Sequence, residues 1–303
     1  METASKPDRC WGTIGNEDMI LVFGKTGQVA IELKALKGIK ALGRKQADLS
    51  DPQACAEAIK FYKPLAVINA AAYTAVDEAE SEEYLANTIN GDAPGAMAVS
   101  CAELDIPFVH ISTDYVFDGS GTKPWAFTDI ANPQNAYGRS KLKGEQEIKA
   151  SGCTYAILRT SWVVSPHGIN FIKTILRLSE TRTSLTVVDD QIGGPTFARD
   201  IAQTCLSIAT QLIEDRSKIG TYHYSGQPDV SWCQFANAIF ELIGCKTIAT
   251  PVPTTKYPTP ATRPLNSRLD CAVTQDTFGI PRPFWHDELG EMLKELEREH
   301  DKS

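Results

Sequence analysis

The chain has 303 residues, 42% of them hydrophobic, which suffices for one large α/β unit or two coupled domains around a sizeable core. Its formal net charge is −8 and no basic block stands out. That excludes a groove for a nucleic-acid polymer, which needs clustered Lys and Arg, but leaves room for a local basic pocket and an anionic substrate.

Residues 1–18 are polar, lack an apolar stretch of signal-peptide length, and read as a leader or tag outside the fold. A buried-strand pattern begins at once with Met19-Ile-Leu-Val-Phe23. The strand over 20–23 runs into a glycine turn, Gly24-Lys-Thr-Gly27, and a helical pattern over 28–36. A second strand is expected over 38–42. The helix over 51–61 opens with Asp51 as cap and Pro52 in its first turn. A strand over 65–69, helical material over 81–103, a strand over 108–112, a helix over 137–150 and a strand over 155–159 follow. Such alternation predicts an α/β fold: a Rossmann-type, doubly wound parallel sheet with helices on both faces. The dinucleotide-binding domain is expected over 19–162, with return segments near 186–222. After Trp162, Pro, Gly and Thr become frequent, as in Gly193-Gly-Pro-Thr196 and the Pro-rich run over 250–260. Residues 163–303 read mainly as a smaller, loop-rich C-terminal substrate lobe, with helices over 198–212, 232–243 and 287–300.

No apolar run is long enough to span a bilayer, so no membrane partner is expected. The eight cysteines are scattered, without a Cys-x-x-Cys pair or an accompanying His cluster. No metal is expected on that spacing, and reduced thiols in a cytoplasm are.

Three features carry chemistry. In Gly24-x-x-Gly27-x-x-Ala30, the first glycine permits a tight turn and the second lets backbone approach a pyrophosphate at a helix N-terminus. Ala30 fills the close-packing third position. The second strand ends in Leu42-Gly-Arg44-Lys45 with no acid before Asp48, and Arg44 suits a ribose 2′-phosphate, so NADPH is expected, with NADH as the alternative. Tyr137 and Lys141 stand four apart, one above the other on a helical face, where an ammonium would lower the phenol's pKa and ready it for proton exchange with a carbonyl. Small residues in Asn69-Ala-Ala71-Ala72-Tyr-Thr74 would admit cofactor, and Thr113 at the end of its strand could hold a substrate oxygen near Tyr137.

These blocks resemble the extended short-chain dehydrogenase/reductases, and within them the dTDP-4-dehydrorhamnose reductases. The likeness runs from Met19 to about Leu296 and continues through Ser112-Thr-Asp-Tyr-Val-Phe-Asp-Gly119, Arg159-Thr-Ser-Trp162, Asp189-Asp-Gln-Ile-Gly-Gly-Pro-Thr196 and Arg263-Pro-Leu-Asn-Ser-Arg-Leu269. It implies reduction of the 4-keto group of dTDP-4-dehydro-β-L-rhamnose, the last step of dTDP-rhamnose biosynthesis and so a part of cell-wall and lipopolysaccharide carbohydrate synthesis. The resemblance implies that Tyr137, Lys141 and Thr113 are catalytic. It places cofactor on Gly27, Gln28, Val29, Asp48, Leu49, Ala71, Ala72, Thr74 and Asn90, as well as Lys141 beside Tyr137, to which the residue reading adds Gly24 at the turn and Arg44, which stands where some relatives carry an acid. It places the sugar nucleotide on Thr113, Asp114, Trp162, Gln191, Arg263 and Asn266. Some bacterial members form a dimer around magnesium held by glutamates. Glu32 and Glu295 match two of those positions and Arg199 the third, so a homodimer stays open while the metal is placed in doubt. Two alternatives remain: another nucleotide-sugar 4-ketoreductase, and a non-catalytic regulatory subunit of the same fold.

Overall fold

A computed structural model describes residues 19–300 of the chain; the leader expected over 1–18 and Cys10 lie outside the described residues. Strands β1 (Ile20–Phe23), β2 (Ile39–Leu42), β3 (Ala66–Asn69), β4 (Phe108–Thr113) and β5 (Tyr155–Thr160) alternate with helices α1 (Gln28–Lys34), α2 (Pro52–Tyr62), α3 (Glu83–Asn87), α4 (Ala93–Glu103) and α5 (Ala136–Ala150). The second half contributes β6 (Val163–Val164), α6 (Phe171–Ser179), β7 (Ser184–Val188), β8 (Ile192–Gly193), β9 (Thr196–Phe197), α7 (Ala198–Glu214) and β10 (Gly220–His223). It ends with β11 (Val230–Ser231), α8 (Trp232–Leu242), β12 (Ile248–Val252), β13 (Asn266–Ser267), α9 (Ala272–Phe278) and α10 (Trp285–His300).

Six strands form one sheet in the order β10-β5-β4-β3-β1-β2, and every pairing is parallel. Alternate side chains of β1 feed opposite faces, as a two-residue period requires. Leu21 and Phe23 join α2 and α4 through Cys55, Ile59 and Met97, whereas Ile20 and Val22 join α1 and α7 through Leu33, Ile201 and Ile208. Each such fully buried aliphatic or aromatic side chain contributes about 1.5–3 kcal/mol. The chain leaves β1 toward β2 and then crosses to β3 on the other side. Strand order therefore reverses between β1 and β3, where the carboxyl ends of the strands open a crevice.

Outside the sheet, β7 pairs with β12, and β8 is flanked by β11 and β13. Two apolar clusters hold these elements. One gathers Ile172, Phe235, Ile239, Trp285 and Leu289; the other gathers Ile175, Leu185, Val187 and Phe240. Ser231 and Gln234 close a reciprocal capping box at the start of α8. Among the described residues no helix is long and apolar enough to cross a membrane. The described cysteines, Cys55, Cys101, Cys153, Cys205, Cys233, Cys245 and Cys271, are free thiols.

Candidate active site

The turn after β1 is shaped for a close approach. Gly24 adopts φ +113°, and a Cβ there would sit 3.1 Å from the Ala30 Cβ and 3.3 Å from the Ala70 backbone. That packing explains a small residue at position 30. A Cβ at Gly27 would meet nothing within 4 Å, and α1 starts without a side-chain cap or an acid in its first turn. Open space over uncapped N–H groups suits an anion. Val29 turns into the core, while Gln28 Oε1 accepts hydrogen bonds from Ser165 Oγ (2.8 Å) and Asn170 Nδ2 (3.1 Å).

Around this turn, Arg44 is exposed beyond β2. Asp48 accepts from the Ser50 N–H at 2.9 Å and Leu49 is buried, which fixes the segment entering α2. Asp51 caps that helix by accepting from the Ala54 N–H at 3.0 Å. Ala71, Ala72 and Thr74 follow β3, half-buried to exposed. Asn90 lies one layer behind them. Its amide accepts from the Tyr73 N–H (2.8 Å) and donates to the Tyr73 carbonyl (3.0 Å) and Ser140 Oγ (2.9 Å), pinning the loop after β3 to α5.

The end of β4 meets the start of α5. Asn135 caps α5 by accepting from the Gly138 N–H at 2.8 Å, which sets Tyr137 in the first turn beside Thr113. The Thr113 hydroxyl hydrogen-bonds the Tyr137 phenol and lies 3.1 Å from Asp114 Oδ1. Tyr115 packs edge-on to Tyr137, with ring centroids 5.5 Å apart. Burial, and then the neighbouring Asp114, push the phenol up to about 12, while Thr113 opposes the shift. Burial raises Asp114 to about 6 against hydrogen bonds from Ser267 and Thr113. Its Oδ2 is buried without a partner, as is Nη1 of Arg263, whose other nitrogen donates to Asp77 at 2.6 Å.

Lys141 departs from the expectation drawn from spacing. It is 2% exposed and points inward, donating to the Ile111 carbonyl at 2.7 Å and lying 3.0 Å from His110 Nε2. The tyrosine is therefore not tuned downward by an adjacent ammonium in this structure, and burial governs it instead. Across the site, Trp162 holds a left-handed φ of 50° and stacks on Trp232 at 3.6 Å. Gln191 donates to Thr254 Oγ1 at 3.1 Å. Asn266 donates to the Ser120 (3.2 Å) and Lys123 (2.8 Å) carbonyls, so its amide is committed to holding the 119–125 segment.

The profile of one protein family, described as the RmlD substrate binding domain, matches residues 18–298. A dTDP-4-dehydrorhamnose reductase of Sinorhizobium fredii is 42% identical over 278 residues, covering 88% of this chain and 94% of that protein. The chain belongs to the dTDP-4-dehydrorhamnose reductase family. Two crystal structures of such reductases superpose on it. That from Clostridium acetobutylicum has a TM-score of 0.86 at 37% identity, covering 92% of this chain and 99% of its own. That from Bacillus anthracis, in complex with NADP, has a TM-score of 0.85 at 32% identity, covering 92% and 100%.

Against this reductase family, two groups of residues were not singled out in the sequence. One is the buried pair Glu145–Arg159, joined by Arg159 Nε to Oε1 at 2.8 Å and Nη2 to Oε2 at 2.6 Å, with Ser112 Oγ donating to Oε1 at 2.6 Å. The signal was available, since an acid eight residues after Tyr137 and an arginine inside an apolar strand both demand partners. The other is Asn69 with His110, polar side chains in otherwise apolar strands. In the cluster implied by the reductase resemblance, Arg199 reaches Glu32 (3.7 Å), Glu288 (4.0 Å) and Glu295 (3.4 Å), and His167 lies 3.2 Å from Glu32.

Proposed function

We propose that this chain reduces the 4-keto group of dTDP-4-dehydro-β-L-rhamnose to dTDP-L-rhamnose, using NADPH. One observation carries the reading. Tyr137, Thr113 and the unpartnered Asp114 Oδ2 converge at the carboxyl end of β4, beside an uncapped glycine turn at the sheet's reversal point. When bound, the cofactor would supply a hydride to the sugar's C4. Backbone N–H groups from Gly27 to Val29 would hold its diphosphate, with Gly24 permitting the turn. Arg44 would take the 2′-phosphate, Asp48 and Leu49 would border the adenine, and Ala71, Ala72 and Thr74 would lie along the ribose side. Asn90 keeps that loop in place, and Lys141, which faces inward in the cofactor-free chain, would have to turn to the nicotinamide ribose when cofactor is bound.

The phenol of Tyr137, held above its ordinary value of 10, remains protonated throughout the neutral range and gives its proton to O4 as negative charge develops there. Thr113 hydrogen-bonds the same oxygen and keeps the phenol oriented. Asp114 Oδ2 offers an acceptor and Arg263 Nη1 a donor to the sugar nucleotide, satisfying two buried atoms that otherwise lack partners. Trp162 forms an apolar wall, while Asn266 supports the site indirectly by holding the 119–125 segment and Gln191 is bonded to Thr254. The Bacillus anthracis reductase, whose crystal structure contains NADP, supports the choice of cofactor. The residues assigned to the reaction all lie on one chain, and a homodimer would bring two such sites together.

NADPH oxidation followed optically with dTDP-4-dehydro-β-L-rhamnose tests the reading. We expect turnover, faster with NADPH than NADH because of Arg44. Turnover only with a different 4-keto sugar nucleotide would move the substrate assignment, and no oxidation with any would leave a binding module.

A further inference from the structure

Three buried side chains, Asn69, His110 and Lys141, form a hydrogen-bonded chain between the half-buried Ala71 of the loop after β3 and α5. The Ala71 N–H donates to Asn69 Oδ1 at 3.1 Å, which fixes the orientation of that amide. Asn69 Nδ2 therefore faces His110 Nδ1, 3.1 Å away, as a donor. An NH2 group cannot accept, so Nδ1 must carry the lone pair. A neutral imidazole with Nδ1 free has its proton on Nε2, and that proton points at Lys141 Nζ, 3.0 Å away. An ammonium has three donors and no acceptor, so it would meet Nε2–H donor to donor. An amine accepts from it and still donates to the Ile111 carbonyl at 2.7 Å. Asn69, His110 and Lys141 are each no more than 2% exposed, so water cannot relieve a mismatch.

We infer that His110 is a positioning residue that holds Lys141 as a neutral amine in the cofactor-free chain, through a one-way relay from the Ala71 N–H by way of Asn69. The inference deepens the function proposed above, because Lys141 is the residue assigned there to the nicotinamide ribose. The surrounding charges agree. Burial depresses Lys141 to about 7, opposed by Glu145 one turn on in α5, which is itself neutralised by Arg159 of β5. Burial, with Lys141 nearby, also drives His110 well below its ordinary value. Other charged groups where α5 meets its neighbours pair elsewhere: Arg139 with Glu83 and Lys143 with Asp92, while Glu80 accepts from the Ala136 N–H and Asp114 turns to Thr113 and Ser267. An anionic dinucleotide arriving at the Ala71 loop favours the ammonium, so cofactor binding takes up a proton at this lysine.

Nitrogen-15 NMR of histidine-labelled, cofactor-free chain reads the relay directly, with His110→Gln used for assignment. We expect His110 neutral across the physiological range, Nδ1 bare and Nε2 protonated. A proton on Nδ1 overturns the proposal. Asn69→Asp supplies the second arm. Its carboxylate accepts from both the Ala71 N–H and Nδ1–H, so Nε2 becomes an acceptor and pairs with an ammonium. The inflection of kcat/KM for NADPH assigned to Lys141 should then move to higher pH by about one unit or more. An unmoved inflection in a folded Asn69→Asp protein refutes the relay. The tautomer measurement needs neither substrate nor variant folding. A chain that fails to reduce the sugar nucleotide would defeat the proposed function and leave the tautomer result standing.

Discussion

Tyr137 and Asp114 show how burial assigns opposite tasks to neighbouring groups. At about 12 the phenol is a reserve of protons, and at about 6 the carboxyl is ionised at neutral pH only against the cost of its burial. Replacing Tyr137 with Phe removes the proton and almost no volume. Turnover should fall by roughly a hundredfold or more while NADPH binding, followed by fluorescence titration, is retained. Near-normal turnover would remove Tyr137 from its role. Asp114 adds a stability consequence. Its folded pKa lies above the ordinary 3.8, so its contribution to stability is present below that value and lost as pH rises through about 6. Asp114→Asn should therefore raise stability at pH 7 by about 2–3 kcal/mol and leave it little changed in acid, while reducing activity. Equal melting shifts in acid and at neutrality would contradict the burial account.

Helix α5 carries both Tyr137 and Lys141, and what aims it is the Glu145–Arg159 pair beneath it. Glu145 is fully buried, and although burial alone would raise its pKa, Arg159 and Ser112 hold it below the usual carboxylate range. A lowered pKa means stability present above the unfolded value and lost as pH falls through the folded one. Arg159→Met leaves that carboxylate uncompensated and should destabilise by about 3–5 kcal/mol. Urea unfolding at neutral pH checks this, and a loss under about 1 kcal/mol would show that the pair is not what anchors the helix. The five core strands were legible from their short apolar runs and the helix over 51–61 from Asp51 and Pro52 at its start, because both signals are local. The helix expected from Tyr137 starts one residue earlier, where Asn135 caps it. The run over 81–103, read as helical material, contains α3, a π-helical segment over 88–92 and α4. Pro94 has no N–H to give to the Asn90 carbonyl, which breaks the α register. The carbonyl so released lies where a Cβ at Gly144 would be, 2.1 Å away, so α5 can approach only through a glycine. The inward turn of Lys141 was not legible, since its partners lie 30 residues away on β4 and spacing within a helix cannot report them.

Across the whole molecule, the acidic cluster beside α1 is occupied by a cation of the chain itself. Arg199 spans Glu32 on α1 and Glu288 and Glu295 on α10. Its side chain is 44% exposed, so each pair is worth only about 0–1 kcal/mol. The effect on ion binding is larger, because a fixed positive charge opposes a divalent cation that needs clustered oxygen ligands. Activity and solution mass should both be indifferent to EDTA. Size-exclusion chromatography that finds a dimer dissociating in chelator and returning with magnesium would show instead that the cluster admits the ion.

Gln28 sits at the first position of α1, yet its side chain belongs to the other half of the molecule, held there by Ser165 and Asn170. Asn170 in turn caps α6 by accepting from the Lys173 N–H at 3.2 Å. A diphosphate on the glycine turn would thus order the residue that is tied to the 165–170 segment, and a sugar nucleotide packed on that segment would find part of its ordering already done. Such sharing is reciprocal at equilibrium.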